Sequence, residues 1–251
     1  MARHRFFVPN LSFEKDLIQV TDPDEIHHIK DVLRLKPGDI IALFNGQGEE
    51  VRAEILRFAA ASLEVKIASR QKIEVTKKVS VVLACAIPKR AKFESIIEKC
   101  TELNVDEIIP LQTKRTEIRL NPEQSGRKLA RYQTVAVNAA KQSGRSQIPV
   151  IHPVTEFSKA MKNLTTHDTA FIPCLIGERK DLVDALRLKT AQQRIVFFIG
   201  PEGDFTPQEV ALAIAAGCAP VSLGPTILKV DTAAISVAAL ANLFLSHSQE
   251  K

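Results

Sequence analysis

Short runs that alternate apolar and polar residues dominate the first part of the chain, up to about residue 70. Alternation with a period of two residues is typical of strands that place one face in a core. The strands predicted from it are Ile40–Phe44, Glu50–Phe58 and Ser62–Ala68. One helix is predicted among them over Pro23–Leu33, because Asp22 suits the cap and Pro23 suits the first turn. Residues 1–70 are therefore predicted to form a small β-barrel-like domain.

The pattern changes after a polar linker predicted at residues 71–78. From residue 79 to residue 251, short apolar runs alternate with segments of helical periodicity, which is typical of an α/β domain with a largely parallel sheet. The predicted strands are Val79–Ala84, Glu107–Leu111, Thr169–Pro173, Ile195–Ile199 and Ala219–Leu223. The predicted helices are Lys89–Leu103, Gln124–Gln142, a segment near Lys180–Leu188, one that starts after Thr206, and Thr232–Leu245. The fold class is therefore α/β, preceded by a β-rich domain.

Two Gly-Pro loops follow consecutive strands in the last third of the chain. The first, Gly200–Asp204, precedes helix-start signals at Thr206, Pro207 and Glu209. The second, Leu223–Thr232, leads into the final apolar helix. One such loop most often only connects two elements, but ligands of open α/β sheets bind at the carboxyl ends of strands, so two loops could line one pocket. Neither loop has a dinucleotide or P-loop motif, which argues against those nucleotide-binding modes.

Composition narrows the class of protein only slightly. The 251 residues are 45% hydrophobic and 25% charged, and the net charge of +5 is compatible with a polyanionic partner. The 4 scattered cysteines have no metal-binding spacing, so they are interpreted as reduced thiols, and the His27-His28 pair as structural or RNA-facing. No metal is expected. Because no signal segment and no membrane-spanning apolar stretch is evident, we expect a cytoplasmic protein.

The two loops carry a resemblance to a known family. Ile199–Asp204 reads I-G-P-E-G-D, and Leu223–Ala233 reads L-G-P-T-I-L-K-V-D-T-A. These segments resemble the I-G-P-E-G and L-G-x-R-I-L-R-x-E-T-A signatures of the RsmE-type methyltransferases of small-subunit ribosomal RNA, which belong to the SPOUT class. Further segments that resemble the family, and extend the match over nearly the whole chain, are Arg5–Val8, His27-His28, Val32–Leu35, Glu98–Leu103 and Gln142–Arg145.

The resemblance implies a PUA-like RNA-docking domain followed by a SPOUT domain with a trefoil knot. It also implies transfer of a methyl group from S-adenosylmethionine to N3 of a uridine in 16S ribosomal RNA, within an assembled or assembling subunit. A homodimer is implied as well. The apolar helix Thr232–Leu245 fits a dimer because it needs a cover on nearly every side, although a cover from within the chain is the alternative.

For the cofactor, the resemblance implies contacts with backbone groups of both loops and with apolar side chains around them. The predicted cofactor-binding residues are Ile172, Pro173, Ile199, Gly200, Pro201, Glu202, Gly203, Leu223, Gly224, Pro225, Ile227 and Leu228. The first two stand at the end of the strand Thr169–Pro173 and are expected to form a third wall.

Charged residues near the loops are candidates for the chemistry. N3 of neutral uridine carries a proton, so a group must accept that proton or stabilise the anion. Glu202 and Asp231 are the carboxylates of the two loops, while Arg115 or Lys229 could stabilise negative charge on the base. The general base stays open, because Asp231 is favoured as the cap of the final helix and Glu202 can orient its own loop.

RNA contacts are predicted at basic residues of both domains, namely Arg3, Arg5, Arg34, Lys89, Lys92, Arg145 and Lys229. Arg145 is explained equally well as a cation that follows a helix end. The residues that depart from the family signature are Asp204 in place of Gly, Thr226 and Lys229 in place of Arg, and Asp231 in place of Glu. These departures leave two alternatives, a non-catalytic ribosomal-RNA-binding protein with a decayed site or a SPOUT methyltransferase that acts on another RNA.

Overall fold

The structure is a computed structural model that describes residues 4–9, 15–72, 79–89, 92–187 and 194–247. Its contacts divide the chain into two compact units. The first unit comprises Met1–Thr76 and Val137–Ile148, and the second comprises Lys77–Ala136 and Pro149–Lys251. The division predicted at residue 70 did not anticipate that residues 137–148 group with the first unit. Most of the predicted linker, residues 73–78, lies outside the described residues.

The first unit is built on a five-stranded sheet in the order β1-β3-β4-β5-β2. The strands are β1 (Arg5–Phe7), β2 (Leu17–Val20), β3 (Ile40–Phe44), β4 (Glu49–Phe58) and β5 (Leu63–Lys72). β1 pairs with β3 in parallel and the other neighbours are antiparallel. Alternating side chains of these strands pack into one core with Ile29, so the period-two pattern does mark the buried face.

One helix stands between β2 and β3, and it is shorter than predicted. α1 covers Pro23–His27, and a π-helical turn continues it over His28–Val32. The predicted cap is confirmed, because the Asp22 carboxylate accepts hydrogen bonds from the backbone N–H groups of Asp24 and Glu25 at 2.9 and 3.1 Å.

Hydrogen bonds from Arg5 and an ion pair of Lys141 hold residues 137–148 within the first unit. Arg5 Nη2 lies 2.6 Å from Glu50 Oε2, and its Nη1 donates to two carbonyl oxygens of this segment at 2.9 and 3.2 Å. Lys141 Nζ lies 2.7 Å from Glu25 Oε1. These contacts explain why a segment so distant in sequence belongs to this unit.

The second unit is built on an eight-stranded sheet in which every pair is parallel. The strand order is β11-β13-β10-β12-β6-β7-β8, and β9 also pairs with β7. The strands are β6 (Ser80–Ala86), β7 (Glu107–Gln112), β8 (Val150–Ile151), β9 (Thr155–Glu156), β10 (Asp168–Pro173), β11 (Lys180–Asp181), β12 (Arg194–Ile199) and β13 (Ala219–Ser222). The α/β class with a parallel sheet is confirmed, whereas the trefoil knot stays a prediction.

Among the described residues, six helices accompany this sheet along the chain, and α3 contributes residues to both units. They are α2 (Lys92–Glu102), α3 (Pro122–Ser143), α4 (Phe157–Lys162), α5 (Leu182–Arg187), α6 (Pro207–Ala215) and α7 (Val230–His247). The helix predicted near Lys180–Leu188 is only partly correct, because its first two residues form β11. α4 and α6 cover one core, in which Phe157 and Phe198 pack edge to face. α7 packs against α2, β6 and β12.

A charge network stands where three strands of this sheet begin. Arg194 Nε lies 3.2 Å from Glu107 Oε1, and its Nη1 lies 3.0 Å from Asp168 Oδ1. His152 Nε2 lies 2.8 Å from the second oxygen of Glu107. Burial raises the pKa of the Glu107 and Asp168 carboxyl groups. The hydrogen bonds that these groups accept outweigh the effect of burial and leave each pKa below its ordinary value. The network therefore favours the charged carboxylates at neutral pH.

Candidate functional site

The carboxyl ends of three adjacent strands form the floor of a cleft in the second unit. β13, β10 and β12 are neighbours in the sheet, so the loops that follow them lie side by side. The cleft encloses about 640 Å³ of empty space, counting its open mouth. Val230 and Ala233, in the first turn of α7, line it from a further side.

Both Gly-Pro loops depend on left-handed backbone. The Asp204 N–H donates to the carbonyl of Pro201 at 2.9 Å, which closes a four-residue turn, and Asp204 itself has a φ of 62°. In the second loop Gly224 has a φ of 115°, and its N–H donates to Ser222 Oγ at 3.3 Å. Any side chain at position 224 would therefore be strained, whatever space is available around it.

Nine of the twelve predicted cofactor-binding residues line this cleft, namely Pro173, Ile199, Gly200, Pro201, Glu202, Leu223, Gly224, Ile227 and Leu228. Their contact with a cofactor stays a prediction. Ile172 does not reach the cleft, because its side chain is fully buried in the core of the sheet. Gly203 and Pro225 belong to the loops, but they are not among the lining residues.

Sequence reasoning missed the other residues of the lining, which are Cys174, Leu175, Arg179, Asp204, Val221, Ser222, Thr226, Val230 and Ala233. Residues 174–179 carry no motif, and only the position of β10 between β12 and β13 brings them to the cleft. Val221 and Ser222 could have been found, because they stand at the carboxyl end of a predicted strand.

Of the three candidate catalytic residues, Glu202 lies in the first Gly-Pro loop, Asp231 in the first turn of α7, and Arg115 after β7. Glu202 Oε1 accepts a hydrogen bond from the Lys89 N–H at 3.0 Å, and Asp231 Oδ2 lies 3.4 Å from Lys92 Nζ. Both carboxylates thus face the connection between β6 and α2. Arg115 Nη1 donates to the carbonyl of Gly203 at 2.5 Å, so this guanidinium holds the loop from another side.

Burial of the thiol is the main cause of a raised pKa at Cys85, which stands near the end of β6. The charges of Cys100, Glu202 and Asp231 raise that pKa further, in agreement with a position of both carboxylates near this strand end. Cys85 is therefore a protonated core residue and not a nucleophile.

Asp231 does not cap the final helix, which corrects the favoured sequence interpretation. α7 begins at Val230, so Asp231 lies within the first turn, where a negative charge favours the helix dipole. Asp231 Oδ1 is buried and has no hydrogen-bond partner among the described residues. A buried oxygen without a partner is unfavourable by roughly 1–3 kcal/mol, so such an atom usually has a partner or a functional role.

The structure gives Arg5 an internal role in place of the predicted RNA contact. Its side chain is only 14% exposed, it pairs with Glu50, and its guanidinium stacks 4.6 Å from the ring centre of Phe44. Arg3 lies outside the described residues. The predicted RNA-binding residues that are exposed are Arg34, Lys89, Lys92 and Lys229, and Arg145 is half-buried.

Other sites considered from the sequence receive no support. Among the described residues, no group of His, Cys, Asp and Glu side chains could hold a metal ion. All the cysteines are free and buried, and burial raises the pKa of Cys100 to about 12. In the part of the chain that the structure describes, no helix combines the length and the apolar character needed to cross a membrane.

Comparison with known families and proteins points to one class of enzyme. The model of an RNA methyltransferase domain matches residues 75–242, and that of an RNA methyltransferase PUA domain matches residues 20–77. The chain is 34% identical to the ribosomal RNA small subunit methyltransferase E of Synechocystis over 88% of this chain and 71% of that protein. Its identity to the Rickettsia conorii protein of the same name is 30%, over 100% of this chain and 99% of that one.

Two solved structures share the fold over almost their whole length. A putative methyltransferase from Legionella pneumophila, in complex with S-adenosylmethionine, has a TM-score of 0.85 and 28% identity, with 96% of this chain and 97% of that one covered. The ribosomal RNA small subunit methyltransferase E of Neisseria gonorrhoeae, bound to S-adenosylmethionine, has a TM-score of 0.84 and 28% identity over the same shares of the two chains.

Proposed function

Because the chain belongs to the RsmE-type family of ribosomal RNA methyltransferases, we propose that it methylates N3 of a uridine in small-subunit ribosomal RNA, with S-adenosylmethionine as the methyl donor. The observation that carries the proposal is the cleft at the carboxyl ends of β13, β10 and β12, which both Gly-Pro loops line. Two relatives of the same fold bind S-adenosylmethionine.

The residues of the cleft fit this cofactor. Ile199, Leu223 and Leu228 supply apolar walls for the adenosine part, and glycines let the loop backbone approach it closely. The carboxylate of Glu202 lines the same cleft and favours a cation there. When bound, S-adenosylmethionine supplies an electrophilic methyl group on a sulfonium cation. The chain therefore needs only to hold the donor and align a base with it.

For the proton of uridine N3, we propose Asp231 as the acceptor. Its Oδ1 is buried without a hydrogen-bond partner among the described residues, whereas Glu202 is exposed and its Oε1 accepts a hydrogen bond from the Lys89 N–H. Lys92 Nζ lies 3.4 Å from Asp231 Oδ2 and helps to hold this carboxylate in place. Arg115 holds the Gly203 carbonyl, so its first role is to position the loop, while its exposed guanidinium is free to meet negative charge on the base.

We assign RNA docking to the first unit, because the PUA model matches residues 20–77 and all but the last of these belong to this unit. Arg34 is the exposed arginine there that we expect to contact phosphate, and Lys229 extends the basic surface in the second unit. The cytoplasm is the proposed location, because that is where the proposed substrate is found.

We further propose that the active unit is a homodimer with α7 at or near its interface. α7 is covered by α2, β6 and β12 on one side, while Leu243 is 59% exposed. A large apolar side chain with this exposure on an otherwise apolar helix fits a partner surface. Twofold pairing through α7 would bury it in both subunits.

The test combines cofactor binding with product mapping. Titration calorimetry of the full chain should show binding of S-adenosylmethionine but not of NAD or ATP. Small ribosomal subunits incubated with the protein and S-adenosylmethionine should gain 3-methyluridine. Ala233→Leu should weaken cofactor binding at least tenfold, because Ala233 lines the cleft. Ala211→Leu, the same change on an exposed part of α6, should bind normally.

Gly224 is unsuitable for this test, because strain from its positive φ would confound any loss of binding. Binding of ribosomal RNA without binding of S-adenosylmethionine would refute the proposal and favour a non-catalytic RNA-binding protein. Methylation of another RNA in preference to small subunits would refute the proposed substrate.

A further inference from the structure

Asp204 joins two loops of the cleft that are distant in the sequence. Its Oδ2 accepts a hydrogen bond from the Leu175 N–H at 3.0 Å, which connects the loop after β12 to the loop after β10. The backbone of Asp204 has a φ of 62°, which lies in the left-handed region that most residues with a side chain disfavour. A residue that keeps an unfavourable backbone at a ligand cleft invites a functional explanation.

The loop after β10 needs external partners to keep its shape. Leu175 is 49% exposed and Ile176 is 41% exposed, so their side chains contribute little burial. Gly177 has a φ of 77°, which gives the backbone a point of easy rotation. Outside the loop, the Cys174 N–H donates to the Val221 carbonyl at a long 3.4 Å.

Within the loop, Arg179 Nη1 donates to the Cys174 carbonyl at 2.8 Å. Leu175 and Arg179 both line the cleft, so the position of this loop sets the shape of one wall. The bond from the Leu175 N–H to Asp204 is shorter than the one from the Cys174 N–H to the neighbouring strand, and both residues line the cleft. Loss of the Asp204 carboxylate would leave the tip of the loop anchored on one side only.

We propose that Asp204 is a positioning residue for the methyl donor, a role that rests on the proposed function of the cleft. Its carboxylate fixes the loop of residues 174–179 as a wall against which S-adenosylmethionine binds. The acceptor oxygen performs this role, and the negative charge is secondary. Asparagine, which also accepts a hydrogen bond and tolerates left-handed backbone, can therefore replace it.

Substitution of Asp204 by glycine distinguishes a positioning role of the side chain from a role in the stability of the fold. Asp204→Gly relieves the backbone strain and removes the acceptor, so the free energy of unfolding should stay equal or rise. Binding should nonetheless weaken by about three- to tenfold, which corresponds to the loss of one net hydrogen bond. A residue that only stabilised the fold would instead change both quantities in the same direction.

The experiment compares wild type, Asp204→Gly and Asp204→Asn as full chains. Titration calorimetry should give the wild-type Kd for S-adenosylmethionine in Asp204→Asn, within about twofold, and a raised Kd in Asp204→Gly. Hydrogen exchange without cofactor should show slow exchange at the Leu175 amide in wild type and Asp204→Asn, and faster exchange in Asp204→Gly. Thermal unfolding should show no loss of stability in Asp204→Gly.

Unchanged affinity in Asp204→Gly would overturn the proposal. Weak binding in Asp204→Asn, with the Leu175 amide still protected, would overturn it in favour of a role for the charge. Failure of the wild type to bind S-adenosylmethionine would refute the proposed function and, with it, the role toward the donor. Hydrogen exchange would still report whether Asp204 holds the loop, so the two failures are distinguishable.

Discussion

Replacement of Arg5 by methionine should destabilise the first unit and leave the electrostatic part of RNA binding unchanged. The substitution removes five hydrogen bonds, two of them to Glu50, and the contact with the Phe44 ring. Among the described residues, Glu50 would then keep the hydrogen bond that the Ser146 hydroxyl donates to its Oε2 at 2.8 Å. The carboxylate is 15% exposed, so most of the lost interaction cannot be replaced by water.

The expected size follows from the burial of the pair. Loss of one partner of a buried ion pair is unfavourable by roughly 3–5 kcal/mol, and the residual exposure of Arg5 and Glu50 places the expected value near the lower end, about 3 kcal/mol. In a unit of this size that corresponds to a fall in Tm of about 12 °C or more. Arg34→Met, at an exposed position, should change stability by less than about 0.5 kcal/mol.

The assay measures thermal unfolding and the salt dependence of RNA binding in both variants. Arg34→Met should lower affinity and reduce the slope of log K against log salt by about 1, because one phosphate contact is lost. Arg5→Met, measured at a temperature where it is folded, should keep the wild-type slope, since Glu50 already neutralises that charge. A wild-type Tm for Arg5→Met, or a reduced slope equal to that of Arg34→Met, would refute the reasoning.

Three further predictions concern the second unit. The pKa values of Glu107 and Asp168 lie below the ordinary 4.5 and 3.8, so the stabilisation from these carboxylates is full above those values and is lost as pH falls through the lower folded-state values. Arg194→Met should lower the free energy of unfolding at neutral pH by about 2 kcal/mol in chemical denaturation, less than for a fully buried pair because Arg194 is 29% exposed, and should weaken the dependence of stability on acid. Asp231→Asn should lower kcat by roughly 10²–10⁴ with an unchanged Kd for S-adenosylmethionine, Asp231→Glu should retain activity, and an active Asp231→Asn would exclude the proposed base. Leu243→Glu should shift sedimentation from dimer to monomer with loss of methylation, whereas a fully active monomer would contradict the dimer.

Local signals predicted those features whose partners lie within a few residues. Thr206 and Glu209 form the predicted capping box, in which the Thr206 N–H donates to Glu209 Oε2 at 2.9 Å and the Glu209 N–H donates to Thr206 Oγ1 at 3.2 Å. β3 has the predicted bounds Ile40–Phe44, because its apolar run is interrupted on both sides by turn residues. Spacing alone was sufficient in both cases.

Long-range packing decided what the sequence could not predict. From the sequence, Arg5 is predicted to contact RNA. In the structure its partners include Glu50, which is 45 residues away along the chain, and Lys141, which is 136 residues away. The continuation of α1 as a π-helical turn over His28–Val32 likewise carries no recognisable signal in the sequence. Such features depend on which surfaces meet after folding, and composition and periodicity contain no record of that.

The order of strands in the second unit shows why the candidate site was predicted only in part. The two Gly-Pro loops follow β12 and β13, which are consecutive among the main strands of the chain, so the sequence suggests that these loops are adjacent. In the sheet, however, β10 lies between β12 and β13. The loop after β10 is therefore the central wall of the cleft, and the two loops with motifs flank it. This is why the N–H of Leu175, in a segment without any motif, donates a hydrogen bond to Asp204 of a flanking loop. A glycine signature identifies backbone that must approach a ligand, whereas the position of the wall between two such loops follows from the crossing of strands.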